Sequence, residues 1–208
     1  MPYRDTAWTA LEQWAPTAFL AAGGLFVLPT LVSGVEAATG TGIDVSPAVI
    51  FLFLLVVFVA LLGLYPGLAE RDSALANGSL GLLGATAAIL VSTLAISALP
   101  VGPTVGKSTA LASIVIVAVG SVLTVTAFGV ASLRTGAHPR PVGGFLLATG
   151  AAMSLMIVAM LRSGHTVPAW VSFGVNGLVA TSLGASGYAL RSVDGPDAAK
   201  STGDAATS

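Results

Sequence analysis

The sequence predicts an all-α integral membrane protein: a six-helix bundle with short loops and both termini on the cytoplasmic side. Three observations predict it. Apolar residues fill 55% of the 208 positions and charged residues 8%, against roughly 45–50% and about 25% in a soluble domain, and the mean hydropathy is +0.93. Six apolar stretches are each long enough to cross a hydrocarbon core of about 30 Å as helix, at about 1.5 Å per residue. The charged residues fall almost entirely between those stretches, as hydrocarbon surroundings require. Such a chain is excluded from the soluble globular enzymes. It is equally excluded from the disordered proteins, which lack apolar residues.

Residues 1–15 read as an interfacial segment. Asp5 caps a short helix on which Trp8, Leu11 and Ala15 share a face, with Glu12 and Gln13 off it. A signal peptide fits less well, because the apolar stretch begins behind two acids and carries Pro29. The six-helix transmembrane domain, 16–191, then has spans at about 16–38, 47–68, 79–99, 109–133, 143–161 and 168–190. In the first, Pro29 removes a ladder hydrogen bond and predicts a kink near the Gly23-Gly24 pair. The second has no polar side chain from Ala48 to Leu64, so it lacks the polar face a helix keeps in water. Ser46 and Pro47 open it with a hydroxyl cap and a proline at the first helical position.

The remaining spans are rich in Ala, Gly, Ser and Thr, which let helix backbones approach closely in lipid. Ser113, Gly120, Ser121 and Thr124 share a face of the fourth helix, and Gly174, Gly177, Thr181, Gly184 and Tyr188 recur at steps of three and four on the sixth. Met153, Met156 and Met160 form a stripe on the fifth, read as adaptable packing because no Cys or His accompanies it. Helices two, four and six end at Arg71, Arg134 and Arg191, compatible with a two-helix unit used three times, though small-residue composition generates such matches easily. Residues 192–208 read as a disordered cytoplasmic tail.

Orientation follows from the basic residues. With the N-terminus inside, Arg4, Arg71, Arg134, Arg140, Arg191 and Lys200 lie on the cytoplasmic side, and Lys107 and Arg162 outside; the excess belongs inside. Trp14, Tyr65 and Tyr188 then fall at inner helix ends and Trp170 at an outer one, as an interfacial belt requires.

The chemistry is sparse. There is no Cys, there are two His and two Lys, and the net charge is −1, so neither thiolate chemistry nor nucleic-acid binding has support. No ionisable side chain lies deep in a span, as coupled carriers need. A retinal Schiff base lacks its embedded Lys, and haem lacks its embedded His. Gly102-Pro103-Thr104-Val105-Gly106-Lys107-Ser108 has three residues between its glycines where a phosphate loop has four, and it follows a membrane helix rather than a strand. It reads as the turn that opens helix four.

No catalytic, cofactor-binding or metal-ligating residue emerges, and no cofactor is implied. Two polar groupings remain. Asn176, with Ser172 and Thr181, is a candidate intramembrane polar contact, because a buried amide must find a partner; an interhelical hydrogen bond is the plainer reading and a ligand or water contact the alternative. Glu36, Asp44, Lys107, Arg162 and His165 form a candidate outer-face polar cluster, or else a solvated rim whose ion pairs are worth little. On the inner face Arg134, His138 and Arg140 make a modest basic patch suited to anionic headgroups.

The segment Gly63-Leu64-Tyr65-Pro66-Gly67-Leu68-Ala69-Glu70-Arg71 and the opening Trp14-Ala15-Pro16-Thr17-Ala18-Phe19-Leu20 resemble segments of small uncharacterised multi-pass membrane proteins of halophilic archaea, over about the first third of the chain. That resemblance implies a six-helix architecture and brings no catalytic residues. The functional expectation is a non-catalytic membrane component: an accessory subunit, scaffold or assembly partner. Its partners are the lipid bilayer and another membrane protein or a second copy. The alternatives are a small permease or binding protein for a neutral or lipid-like solute, and a membrane enzyme using an outer-face loop site.

Overall fold

The structure is a computed structural model and describes residues 6–42, 47–97, 103–163 and 167–193. Every element among them is helical: α1 (Thr6–Thr39), α2 (Pro47–Leu62), α3 (Tyr65–Arg71), α4 (Ser73–Ser97), α5 (Pro103–Thr135), α6 (Arg140–Arg162) and α7 (Ala169–Val193). α2 and α3 are one rod with a break. Gly63 and Leu64 tighten the end of α2, with Leu64 N–H donating to Leu61 O at 3.0 Å. Pro66 has no N–H to continue the ladder.

The rods run up and down. In order around the bundle, α1 packs on α7, α7 on α6, α6 on α5 and α5 on α4, and α2–α3 close the set against α1 and α4. Trp8 packs against Tyr65 with tilted rings, their centroids 5.0 Å apart, and Glu12, Leu64, His138 and Leu190 line one recess. Both ends of the helical domain therefore lie at one end of the bundle, here the terminal end. Thr39, the last residue of α1, and Arg162, the last of α6, lie at the opposite end.

Several boundaries differ from the sequence expectation. The segment 1–15 does not form a separate interfacial piece where it is described. From Thr6 it is continuous with α1, which runs 34 residues through both Pro16 and Pro29. The face shared by Trp8, Leu11 and Ala15 packs inward, with Ala15 buried where a Cβ on Gly63 would come within 2.5 Å of it; that packing holds the helix on its course past Pro16. Asp5 and Ser46 lie outside the described residues. α4 begins six residues before its apolar stretch, because Asp72 ends α3 in an extended conformation and caps the next helix. Its Oδ1 accepts the N–H groups of Ala74 and Leu75, each at 3.0 Å. The residues from Pro103 to Ser108 are the opening turns of α5, not a loop. Gly136, at φ +60°, ends α5 in the left-handed conformation that favours glycine.

Five rods are long and apolar enough to cross a membrane: Trp8–Thr39, Leu52–Arg71, Ser73–Thr93, Val115–Thr135 and Arg140–Arg162. α7, which carries Ser172, Asn176, Thr181, Ser182 and Ser186, is more polar and is not among them.

The core joins Phe19, Leu61, Leu64, Leu90, Phe128, Leu146 and Leu183 across all the rods. Around it small hydroxyl residues are buried and many large apolar side chains are exposed. Among the described residues the buried polar ones are all hydroxyls, including Ser33, Thr86, Ser121, Thr124, Thr149 and Ser186. Most turn the hydroxyl back onto their own helix, as Ser121 does to Val117 O at 2.7 Å. Large apolar side chains, among them Leu28, Leu31, Leu55, Val91, Leu123, Leu155 and Leu161, are exposed.

The seams between rods are built on glycine. A Cβ on Gly23 would lie 2.7 Å from Gly184 N and 2.8 Å from Ala180 O. One on Gly187 would lie 2.6 Å from Pro16 O. Gly120 abuts Thr86 between α4 and α5, where Thr86 Oγ1 and Thr124 Oγ1 are 3.3 Å apart. Gly129, Gly143 and Gly150 do the same between α5 and α6. The stripe read on the last helix splits: Gly177 faces Thr30 of α1 and the backbone of Gly184 abuts Gly23, whereas Gly174, Thr181 and Tyr188 are exposed. The buried row on α7 is instead Val175, Val179, Leu183 and Ser186 with Gly187.

Candidate functional site

A polar constellation sits at the terminal end of the bundle. The α2–α3 break points the carbonyl of Leu64 away from a regular ladder, since Leu68 N–H reaches it only at 3.3 Å. Gly136 turns the chain between α5 and α6 and brings His138 over that break. His138 Nε2–H donates to Leu64 O at 3.0 Å. Its ring lies against Gly67, where a Cβ would come 2.9 Å from Cε1, so only glycine leaves room for the imidazole. Nδ1 is then an unprotonated acceptor. Burial pushes the His138 pKa below its usual value of 6.5, and the Leu64 carbonyl and the Glu12 carboxylate offset this in part.

Beside the imidazole lies a half-open recess of about 430 Å³, lined by Thr9, Glu12 and Gln13 of α1, Gly63 and Leu64 of the break, and His138. Its lining includes the Glu12 and His138 side chains. Separately, the Tyr65 hydroxyl donates to Asn77 Oδ1 at 3.0 Å, tying α3 to α4. Among the described residues no group of three His, Asp or Glu is placed to hold a metal ion.

The sequence reading assigned His138 only to a basic patch. The imidazole is neutral at neutral pH and serves as a bridge between the α5–α6 connection and the α2–α3 break. The sequence reading ran the second span unbroken over 47–68, through Tyr65-Pro66-Gly67, and nothing in sequence told which loop would reach the Leu64 carbonyl.

The intramembrane group is not drawn together as a trio. Asn176 Nδ2–H donates to Ser33 Oγ across the α1–α7 seam at 3.4 Å. Ser172, one turn away, is half-buried, and Thr181 is exposed with its hydroxyl on Gly177 O at 2.8 Å. A Cβ on Gly177 would meet Thr30 at 3.6 Å, so the seam beside Asn176 is filled by α1. Asn176→Ala is accordingly expected to cost about 0.6 kcal/mol, typical of one interhelical hydrogen bond in a membrane protein, read as a small drop in the unfolding midpoint in detergent. A loss above about 2 kcal/mol would show a larger role for the amide.

Of the outer-face cluster, Asp44 and His165 lie outside the described residues. Lys107 is in the second turn of α5, with its side chain also outside them. Glu36, near the end of α1, is half-buried and Arg162, ending α6, is exposed. No ion pair joins these two.

No family model, no curated protein and no solved structure matches this chain.

Proposed function

We propose that this chain is an integral membrane protein of six spans with both termini cytoplasmic, acting as a non-catalytic membrane component: an accessory subunit, scaffold or assembly partner. The extent of exposed apolar surface carries the reading. Exposed leucines and valines run along the rods while the hydroxyls turn inward, which hydrocarbon surroundings favour and water opposes. α7 is included among the spans on geometry. It lies antiparallel along α1 from Gly34 against Phe173, through Gly23 against Gly184, to Pro16 against Gly187. Residues 16–34 rise roughly 27 Å, close to the thickness of a hydrocarbon core, so a bilayer that contains α1 contains α7. The side is assigned by charge, because Arg71, Arg134, Arg140 and Arg191 all sit at the terminal end.

The non-catalytic reading is supported by where the polar chemistry lies. The acid and imidazole share a recess at one end rather than a passage through the middle. At mid-depth the polar groups are spent on one another or on their own helices.

The chain has no cysteine, so single-cysteine labelling is clean. With a membrane-impermeant maleimide on intact cells, Ser163→Cys is expected to label directly and Ser73→Cys only after permeabilisation. The reverse pattern overturns the orientation, and recovery of the protein in the soluble fraction overturns the membrane reading. The component role is tested by gentle detergent extraction and native mass spectrometry. A second protein at fixed stoichiometry is expected; a solitary chain with nothing bound overturns it.

A further inference from the structure

We propose that the cleft between Arg71 and Arg134 binds the headgroup phosphate of one anionic phospholipid. The proposal rests on the membrane reading above but not on which face is cytoplasmic. Arg71 is the last residue of α3 and Arg134 the last but one of α5, and the two line one cleft of about 500 Å³. Both side chains are exposed, and among the described residues neither takes part in a hydrogen bond or ion pair. Two like charges facing one cleft repel, and a shared anion converts that repulsion into attraction.

The other polar lining residues do not fill that role. Asp72 Oδ1 is held by the N–H groups of Ala74 and Leu75, and the Thr135 hydroxyl donates to Ala131 O at 2.8 Å. Two arginines less one aspartate leave a single positive charge, which suits a headgroup carrying a single negative one. Guanidinium groups present planar, two-pronged donors to phosphate oxygens.

A lipid rather than a free anion is indicated by what leads to the cleft. Leu123, Ala127, Val130 and Arg134 follow at helical steps on one face of α5, and Leu123 and Val130 are 51% and 39% exposed. That track rises roughly 16 Å, about half of the hydrocarbon thickness, which is one leaflet. It ends at Arg134, and Leu75 forms an apolar wall of the cleft. The exposed Tyr188 at the same end marks headgroup depth.

The test is native mass spectrometry of the full chain extracted in mild detergent and offered phosphatidylglycerol or phosphatidylcholine with identical acyl chains. One phosphatidylglycerol per chain is expected to persist at activation energies that strip phosphatidylcholine. R71Q/R134Q is expected to weaken phosphatidylglycerol by roughly tenfold or more, whereas R162Q, at the opposite end of the bundle, leaves it unchanged. Equal retention of the two lipids, full retention by R71Q/R134Q, or displacement of the lipid by inorganic phosphate would each overturn the proposal, the last by showing a free-anion site. If circular dichroism shows R71Q/R134Q misfolded, R71K/R134K keeps the charge without the two-pronged geometry and is expected to bind several-fold more weakly; undiminished binding overturns the proposal. A chain that stays monodisperse after detergent removal fails the membrane reading itself. A chain that needs detergent yet shows no lipid preference fails only this site.

Discussion

Gly23→Ala is expected to weaken the bundle by about 2–3 kcal/mol, whereas Gly24→Ala, one residue on, is expected to leave it unchanged or slightly more stable. The two substitutions add the same methyl group to the same helix. At Gly23 that methyl would come within 2.9 Å of three backbone atoms of α7, in Ala180 and Gly184, and no rotamer change can move backbone aside. Overpacking of this kind costs typically 1–3 kcal/mol, and here α1 and α7 must separate along a seam that extends from Pro16 to Gly34. At Gly24 the methyl meets nothing within 4 Å, so what remains is the helix propensity gain of alanine over glycine, up to about 1 kcal/mol. The same logic divides α7. Gly187→Ala, pressed on Pro16 O and Leu20, is expected to behave like Gly23→Ala. Gly174→Ala and Gly184→Ala point into open space and are expected to be silent. Unfolding midpoints in detergent measure all five. Equal midpoints for Gly23→Ala and Gly24→Ala would mean that the seam is not closed as described.

That contrast also shows where sequence reading reaches its limit. Apolar run length located the helical rods, and each of the six stretches overlaps one of them. The conclusion that small residues make the seams was legible too, because only they permit close backbone approach. Which of them face a neighbour was not. Gly174, Gly177, Thr181, Gly184 and Tyr188 form a regular row on paper, but three of the five are exposed. A span surrounded by lipid has no polar face to mark its outer side, so periodicity loses the contrast that fixes rotation in water. Boundaries slipped for a related reason. Helices Ser73–Ser97 and Pro103–Thr135 run past their apolar stretches, because helix continues where hydropathy has already fallen. The polar site was the least legible. The recess around His138 assembles residues from α1, the α2–α3 break and the α5–α6 connection, and a single sequence carries no signal for that convergence.

His138→Asn is expected to flatten the pH dependence of stability that the native chain shows on the acid side. The neutral imidazole bridges Leu64 O and lies on Gly67, and burial holds its pKa below 6.5. A group with a depressed folded-state pKa takes up its proton more readily once released, so the unfolded chain binds more protons through that window. Stability is therefore fully present above the ordinary histidine value and falls as pH drops from it towards the folded value, by at most about 1.4 kcal/mol per pH unit. Glu12 on α1 is the charged group that opposes the depression. Glu12→Gln is thus expected to lower the His138 pKa further and extend the fall to lower pH, while His138→Asn removes it. Gly67→Ala drives a methyl against the ring and is expected to displace the imidazole into water, restoring an ordinary titration and losing the bridge, worth about 0.5–1.5 kcal/mol. Melting curves in detergent from about pH 8 to about pH 5, paired with the imidazole titration by NMR, separate these outcomes. An acid slope that persists in His138→Asn would place the sensitivity elsewhere, and an unshifted imidazole in the native chain would show that the α5–α6 connection does not close over the break.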